Sequence, residues 1–402
     1  MKKALVVLLA ALLCFNIGPF NFAVSEGEFF TKTTADYFST VSVLKLSGLS
    51  RERFSELWEN TKKILEDIEK SASLSMPGSD ISRFNQLSSG EEIAVSSYTA
   101  DMLSAAFYAY EKTGGLYNPC VYPLVDLWGF SYRFNASSYK KEMPYDRDYV
   151  SGSLPPPKEK YINAFLDLLD FSKIELTKKD GVYYLKKNMP CVFVDGVKYN
   201  AMLDLGGIAK GYACDKVIEM LKEASCSYGL FICGQSSLGF LKNTSQDNNY
   251  LLELKKPFGI ENSKAYYANT YIKDAMLSSS VPYSKGYSAE GVSYYHIINP
   301  NTGFPLSDSK NNALCSTAIA SNAALCDALT TGICLMDRES FISFLQSNPN
   351  IKALAVYESP ANKNYEVISN LDESLINMLS DEYVLKILVP KSLKRTVSTK
   401  SV

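Results

Sequence analysis

The sequence contains a single histidine, His296, and none of its nine cysteines forms a Cys-x-x-Cys pair. One histidine cannot build a multi-histidine metal site, and without paired cysteines a zinc ribbon or a redox dithiol is unsupported. The formal net charge is -2 at pH 7. No basic excess suggests a nucleic-acid partner, no acidic run suggests a disordered tail, and no internal repeat is present.

Eight of the cysteines follow the N-terminal segment, and most of them lie inside apolar stretches. This placement predicts small, buried hydrophobic side chains. Disulfides are chemically allowed if the protein is exported, but nothing in the spacing requires them.

The N-terminus has the pattern of an export signal. Lys2 and Lys3 precede an apolar run from Ala4 to Phe15, and Ala23-Val24-Ser25 places small residues before a cleavage site at Glu26. We therefore predict a signal peptide over 1–25 and an exported, periplasmic or extracytoplasmic protein.

Two alternatives remain open for this segment. Cys14 stands in a weak lipoprotein-like context, since Leu13 fits poorly before a lipidated cysteine. An uncleaved anchor over Ala4 to Val24 would associate the protein with the inner membrane, although Asn16, Gly18 and Pro19 interrupt the run.

Helices and strands alternate without a strict βαβ order, which predicts an α+β fold. Apolar periodicity predicts helices over 50–72 and 98–112, one from Gly206-Gly207 to about 224, and two more over 320–336 and 338–347. The same analysis predicts a hairpin with its turn at Asp195-Gly196, a buried strand over 350–357 and an aromatic core strand around 123–130. It also predicts a surface excursion over 133–160 and a frayed basic tail over 391–402.

The segment Asp204-Leu205-Gly206-Gly207-Ile208-Ala209-Lys210-Gly211-Tyr212 has a double glycine ahead of a predicted helix. Such a turn lets a ligand approach the backbone closely, and a helix N-terminus favours phosphate oxygens. Lys210 adds a positive charge for the same group. The segment is neither a P-loop nor a G-x-G-x-x-G fingerprint, and glycine pairs also serve as plain turns.

The segment from His296 to Pro305 combines the only histidine with a turn at Asn299–Gly303. A histidine can act as a base or a phosphate contact near neutral pH, although a lone histidine is more often structural.

Asp327 and Thr331 are four residues apart and share one face of a predicted helix. Their oxygens suit a hard cation such as Mg²⁺. A solvated helix face is the alternative, but the apolar neighbours Leu325, Ala328 and Ile333 favour a buried helix, where an aspartate needs a partner.

These segments, together with Gly114–Phe130 and Ser79–Asn85, resemble in order and spacing the FAD:protein FMN transferases of the ApbE family over roughly residues 36 to 358. The pair of DLGGIAKGY and HII-P-TG-P elements is specific to that family. The resemblance implies one two-lobed, T-fold-related α+β unit over 26–390 with FAD in its cleft.

The implied activity is Mg²⁺-dependent transfer of FMN from FAD to a Ser or Thr hydroxyl of an exported acceptor protein, with release of AMP. His296 or Asp327 would assist deprotonation of that hydroxyl. The implied metal-binding residues are Asp327, Thr331 and the main-chain carbonyl of Ala209. The implied flavin- and phosphate-binding residues are Thr40, Asn85, Leu116, Tyr117, Asn118, Gly206, Gly207, Lys210 and His296.

Several positions depart from the family pattern. Asn118 and Asn299 stand where aspartates are usual, and Cys120 stands where a threonine is usual. The segment Phe231–Gln235 replaces the usual NxGGD, and Ser278–Ser280 replaces the usual T-S-G. These changes leave two alternatives open, an FAD diphosphatase that forms FMN and AMP with water, and an exported flavin-binding protein without catalysis. No acceptor-type segment is found, so self-modification is not expected.

The export signal leads to a direct test. N-terminal sequencing of the native protein is expected to show a mature chain beginning at Glu26, because the small residues at 23 and 25 fit signal peptidase. A mature chain beginning at a lipid-modified Cys14 would contradict this prediction.

Overall fold

The structure is a computed structural model. It describes residues 20–23, 29–136, 145, 147, 154–241, 250–257, 265–272, 275–307, 311–361 and 364–388. Most of the predicted signal peptide and the whole predicted tail over 391–402 lie outside this range. No described helix combines the length and apolar character needed to cross a membrane.

The described residues form eight α-helices. They are α1 (Arg51–Ala72), α2 (Asp80–Asn85), α3 (Ser97–Lys112), α4 (Tyr122–Trp128), α5 (Glu159–Leu166), α6 (Ala209–Glu223), α7 (Ala323–Cys334) and α8 (Arg338–Ser347). The five predicted helices correspond to α1, α3, α6, α7 and α8, and all five are confirmed.

The strands are, in chain order, β1 (Phe20–Ala23), β2 (Phe29–Thr34), β3 (Ser42–Ser47), β4 (Glu92–Val95), β5 (Ile174–Lys179), β6 (Val182–Lys187), β7 (Cys191–Val194), β8 (Val197–Asn200), β9 (Gly229–Cys233), β10 (Ser237–Phe240), β11 (Tyr250–Lys255), β12 (Tyr266–Ile272), β13 (Met276–Ser280), β14 (Gly286–Ala289), β15 (Val292–Ile298), β16 (Pro305–Ser307), β17 (Cys315–Ala320), β18 (Lys352–Glu358), β19 (Tyr365–Ser369), β20 (Ile376–Met378) and β21 (Tyr383–Ile387). Strand β18 confirms the predicted buried strand over 350–357. The predicted α+β class is also confirmed.

The described chain divides into two compact units. Unit one contains the described residues within 1–62, 210–281 and 310–402, and unit two contains those within 63–209 and 282–309. In unit one the main sheet has the order β2-β3-β9-β10-β13-β17-β18-β19-β21, with antiparallel pairs except β19 with β21. Helix α7 packs on β13 and β17 of this sheet. A second sheet has the order β1-β11-β12-β20.

Unit two contains two small sheets, β4-β6-β5 and β14-β15-β16, and the hairpin β7-β8. The hairpin turn at Asp195-Gly196 is confirmed. Both residues have positive φ, 52° and 79°, as a two-residue type I′ turn requires.

The prediction of an aromatic core strand around 123–130 was wrong, because this segment forms helix α4. Pro123 stands in the first turn, where its missing N–H has no helical partner to lose. Leu124, Leu127 and Trp128 repeat at helical spacing and are fully buried. Gly129 then ends the helix with a left-handed φ of 82°.

The predicted surface excursion over 133–160 lies largely outside the described residues. Where it is described, Phe134, Arg147, Leu154 and Pro157 are buried, so the prediction was wrong at these four positions. The Arg147 guanidinium donates to the carbonyls of Leu127 and Pro155, and these bonds satisfy buried acceptors.

The described cysteines all carry free thiols, and six of the eight are buried. The prediction that most of them serve as small hydrophobic side chains is confirmed. Burial in the β9 strand raises the pKa of Cys233 to about 11, so its thiol stays protonated at neutral pH.

Gly211 on α6 lies against the first residues of α7. A Cβ placed on Gly211 would lie 2.1 Å from the carbonyl oxygen of Ala323 and 2.8 Å from the Cα of Ala324. Only glycine allows this approach of two main chains.

We expect Gly211→Ala to lower the free energy of unfolding by about 1–3 kcal/mol, because main-chain atoms must move to admit the methyl group. The control is Gly206→Ala, where the nearest atom is a side-chain oxygen, Asp204 Oδ1, at 2.9 Å and no main-chain atom is among the three nearest. The control should stay within about 1 kcal/mol of wild type in the same denaturant titration. Equal losses would mean that the contact at Gly211 relaxes easily.

Candidate functional site

The predicted site residues divide between the two units. Unit one contains Thr40, Lys210, Asp327 and Thr331, and unit two contains Asn85, Leu116, Tyr117, Asn118, Gly206, Gly207, Ala209 and His296. Each group is described within its own unit.

Thr40 closes a tight turn between β2 and β3. Its N–H donates to the carbonyl of Tyr37 at 3.2 Å. Phe38 and Ser39 both have left-handed φ values, 54° and 51°. Left-handed conformations are uncommon in residues other than glycine and concentrate at functional sites. The structure thus places strained backbone where the sequence resemblance places a flavin-contacting turn.

The connection between β9 and β10 lies beside this turn. Gly234 has a φ of 66°, and a Cβ on it would lie 2.7 Å from Lys210 Cδ and 3.3 Å from Thr40 Cγ2. Gly234 therefore gives the Lys210 side chain room to pass next to Thr40. Sequence reasoning did not assign this role, although the glycine is retained in the altered segment Phe231–Gln235.

Lys210 and Gly211, at the start of α6, both contact Asp327. The Lys210 ammonium lies 3.4 Å from Asp327 Oδ2, and the Gly211 N–H donates to the same oxygen at 3.2 Å. Asp327 is only 3% exposed. Its other oxygen, Oδ1, accepts no hydrogen bond from the described residues. A buried carboxylate needs compensation, and an oxygen without a donor is suited to a cation.

Thr331 lies one turn after Asp327 on α7. Its hydroxyl donates to the Asp327 carbonyl at 3.3 Å, as does that of Thr330 at 3.0 Å. The described residues hold no group of three His, Cys, Asp or Glu side chains that could bind a metal. One carboxylate and one hydroxyl still fit Mg²⁺, which retains waters and shares substrate phosphates. They do not fit a metal that needs a full set of protein ligands.

In unit two, the glycine turn ahead of α6 is held by one main-chain bond and one bond to a side chain. Asp204 N–H donates to the carbonyl of Pro119 at 2.8 Å, and Gly206 N–H donates to Asp204 Oδ1 at 2.7 Å. Gly206 is exposed, Gly207 is partly exposed, and Ala209 begins the helix. The Gly206 N–H that was predicted to face phosphate is thus bonded to a carboxylate, which a phosphate would have to displace.

Asn85 and Asn118 hold the main chain around this turn. Both Asn85 amide atoms bond to Leu203, Nδ2 to its carbonyl at 2.9 Å and Oδ1 to its N–H at 2.7 Å. Asn118 Nδ2 donates to the Leu169 carbonyl, and its Oδ1 accepts from Cys120 N–H. Asn118 makes these bonds as an amide, since its Nδ2 donor has no counterpart in a carboxylate.

A cavity of about 490 Å³ in unit two has Asn85 in its wall, with Arg133, Tyr132 and Tyr199 also lining it. Aromatic and basic side chains suit a planar, anionic ligand. The cavity does not include Leu116 or Tyr117. Leu116 is partly exposed, and Tyr117 is 3% exposed.

His296 lies on β15 and is oriented by Pro282. Its Nδ1 is 3.1 Å from the Pro282 carbonyl, which can only accept a hydrogen bond. The proton therefore resides on Nδ1, and Nε2 is the basic nitrogen of the neutral ring. The N–H of His296 donates to the carbonyl of Lys285 at 3.1 Å.

The turn predicted at 299–303 is confirmed. Gly303 N–H donates to the Asn299 carbonyl at 2.8 Å, and Asn299 Oδ1 accepts from Asn301 N–H at 2.9 Å. Trp128 Nε1 on α4 donates to the Gly303 carbonyl at 2.8 Å. The two motifs that contain Trp128 and Gly303 are thus joined in unit two.

Two curated relatives have similar sequences. The FAD:protein FMN transferase of Escherichia coli (strain K12) is 26% identical over 297 residues, 73% of this chain and 75% of that protein. The FAD:protein FMN transferase of Vibrio cholerae serotype O1 is 26% identical over 288 residues, 71% of this chain and 75% of that protein.

Two solved structures have the same fold. The flavin transferase ApbE from Vibrio cholerae aligns with a TM-score of 0.65 at 21% identity, covering 86% of this chain and 97% of that one. The ApbE protein of Thermotoga maritima aligns with a TM-score of 0.64 at 21% identity, covering 82% and 95%. The predicted ApbE-like fold is confirmed.

A family model described as the ApbE family matches residues 36–355, most of the sequence, and the chain therefore belongs to the ApbE family.

Proposed function

We propose that this chain transfers the FMN portion of FAD to a Ser or Thr hydroxyl of an acceptor protein, with Mg²⁺, and releases AMP. We further propose that the protein and its acceptor are exported. The observation that carries the proposal is the arrangement at Asp327, where a buried carboxylate lies beside Lys210 at the start of α6.

The charges of this group suit a diphosphate. Phosphoryl transfer depends mainly on positioning and on neutralising oxygen charge, and needs little covalent chemistry from the protein. Lys210 supplies a positive charge, and Asp327 and Thr331 supply oxygens for Mg²⁺, with the Ala209 carbonyl as a further ligand implied by the family resemblance. When bound, Mg²⁺ would neutralise negative charge on the diphosphate.

In this reaction the acceptor oxygen forms a bond to the FMN phosphorus, and the bond from that phosphorus to the bridging oxygen breaks. AMP leaves with the bridging oxygen. The hydroxyl proton must pass to a base. His296 fits this role because its Nδ1 donates to Pro282, so the neutral ring is basic at Nε2. Asp327 Oδ2 already accepts a hydrogen bond from Gly211 N–H and is paired with Lys210. We therefore assign Asp327 to the metal and His296 to the proton transfer.

The first test uses the purified full chain with FAD and Mg²⁺, with and without a flavin-accepting protein from the same organism. We expect AMP release, and a fluorescent acceptor band on a denaturing gel. Without acceptor we expect slower AMP release by hydrolysis, because water can then replace the hydroxyl. A chelator should abolish both signals.

Two other outcomes would contradict the transferase proposal. AMP release without a fluorescent band across several acceptors would indicate a diphosphatase. Bound, intact FAD with neither AMP nor a band would indicate a flavin-binding protein.

A second test concerns Asp327. Asp327→Asn keeps an oxygen for Gly211 N–H but removes the charge, so we expect AMP release to fall roughly a hundredfold at fixed Mg²⁺. The control is Asp337→Asn. Asp337 caps α8 through Ser340 N–H at 2.7 Å, and asparagine caps equally well. The control should keep full activity, whereas unchanged turnover of Asp327→Asn would remove Asp327 from the metal site.

A further inference from the structure

Asp215 is a partly buried carboxylate on α6, four residues after Gly211 and so on the same face of the helix. Its Oδ1 accepts the N–H of Ala323 at 2.6 Å, and its Oδ2 accepts the N–H of Ala324 at 2.9 Å. One carboxylate of α6 thus binds two successive N–H groups at the start of α7.

These bonds add to the capping of α7 by its own N-cap residue, Asn322. Asn322, the residue before the helix, accepts the N–H of Leu325 on its side chain at 2.7 Å and that of Cys326 on its carbonyl at 3.3 Å. Helix starts leave four N–H groups without helical partners. The bond from Cys326 is the first bond of the helix itself. Among the N–H groups without a helical partner, the Asn322 side chain satisfies that of Leu325, and Asp215 of a different helix satisfies those of Ala323 and Ala324.

Asp327 lies one turn after Ala323 on the same face of α7. It is held from α6 by the Gly211 N–H. Helix α6 therefore contacts α7 at two places. Asp215 bonds to the first turn of α7, and Gly211 bonds to Asp327 one turn further along α7. Two such contacts determine how α7 is rotated about its axis, and that rotation directs the side chains of Asp327 and Thr331.

The environment of Asp215 differs from that of an ordinary cap. Burial raises the pKa of Asp215 to about 6, although the N–H groups of Ala323 and Ala324 act in the opposite direction. By contrast, hydrogen bonds from Ser340 lower the pKa of Asp337, the cap of α8. An exposed cap would stabilise α7 without this cost of burial, but it would not connect α7 to α6.

We propose that Asp215 is a positioning residue for the cation, which holds the first turn of α7 against α6 so that Asp327 and Thr331 present their oxygens together. This inference rests on the proposed function, because the cation belongs to that proposal. It assigns to Asp215 an effect on metal affinity that a simple helix cap would not have.

The test compares Asp215→Ala with Asn322→Ala in the full chain at pH 8, where Asp215 is ionised. Both variants lose a cap of α7, and both should melt about 2–4 °C below wild type.

Binding of Mn²⁺, used as a probe for Mg²⁺, is followed by the electron paramagnetic resonance signal of the free ion. We expect Asp215→Ala to bind Mn²⁺ about tenfold more weakly than wild type, and Asn322→Ala to bind it as wild type does. The Mg²⁺ concentration for half-maximal AMP release should rise in the same proportion.

Equal Mn²⁺ affinity in the two variants would overturn the role of Asp215 and leave the proposed function standing. Wild-type protein that binds no Mn²⁺ and releases AMP independently of Mg²⁺ would overturn the metal in the proposed function, and this inference with it. If Asp215→Ala does not fold, Asp215→Asn serves instead, because it keeps the shape and one acceptor oxygen. Its Mn²⁺ affinity should fall severalfold, and wild-type affinity in that variant would also overturn the proposal.

Discussion

The candidate site of unit one depends on the contact between the main chains of α6 and α7. Gly211 lies so close to Ala323 that a single methyl group would enter the space of a carbonyl oxygen. This approach lets a main-chain N–H reach the Asp327 carboxylate and brings Lys210 beside the same oxygen. The buried carboxylate of Asp327 is tolerated because the Gly211 N–H and the Lys210 ammonium lie beside it. The two main chains can approach this closely only if position 211 lacks a side chain.

Unit two shows a different use of polar side chains. Asn85 and Asn118 direct their amides to main-chain groups, and Trp128 directs its indole N–H to Gly303. Buried main-chain groups must be satisfied, so these side chains determine the paths of the loops that contain the predicted binding residues. Asn118 therefore has a structural task in this loop.

Local signals were sufficient for several elements. The spacing of apolar residues placed α1 and α3, and Asp195-Gly196 placed the turn of the β7-β8 hairpin, since these depend on interactions within a few residues. The same reasoning failed for α4. Its leucines and Trp128 suit either a helix or a buried strand over so short a segment, and only the left-handed conformation of Gly129 in the folded chain ends it as a helix. Arg147 was misplaced because its burial depends on carbonyl groups that lie far from it in sequence.

The sequence by itself determined the family, five of the helices and the residue types available for chemistry, because these are read from motifs, periodicity and side-chain identity. Only the tertiary structure decided which residues act together. Gly211 and Asp327 are 116 positions apart, and Asp215 is 108 and 109 positions from Ala323 and Ala324. No local pattern reports such pairings. The roles of Gly211, Gly234 and Asp215 follow from interatomic distances of a few ångströms. Those distances are set by how the helices and strands pack, not by the residues' own propensities.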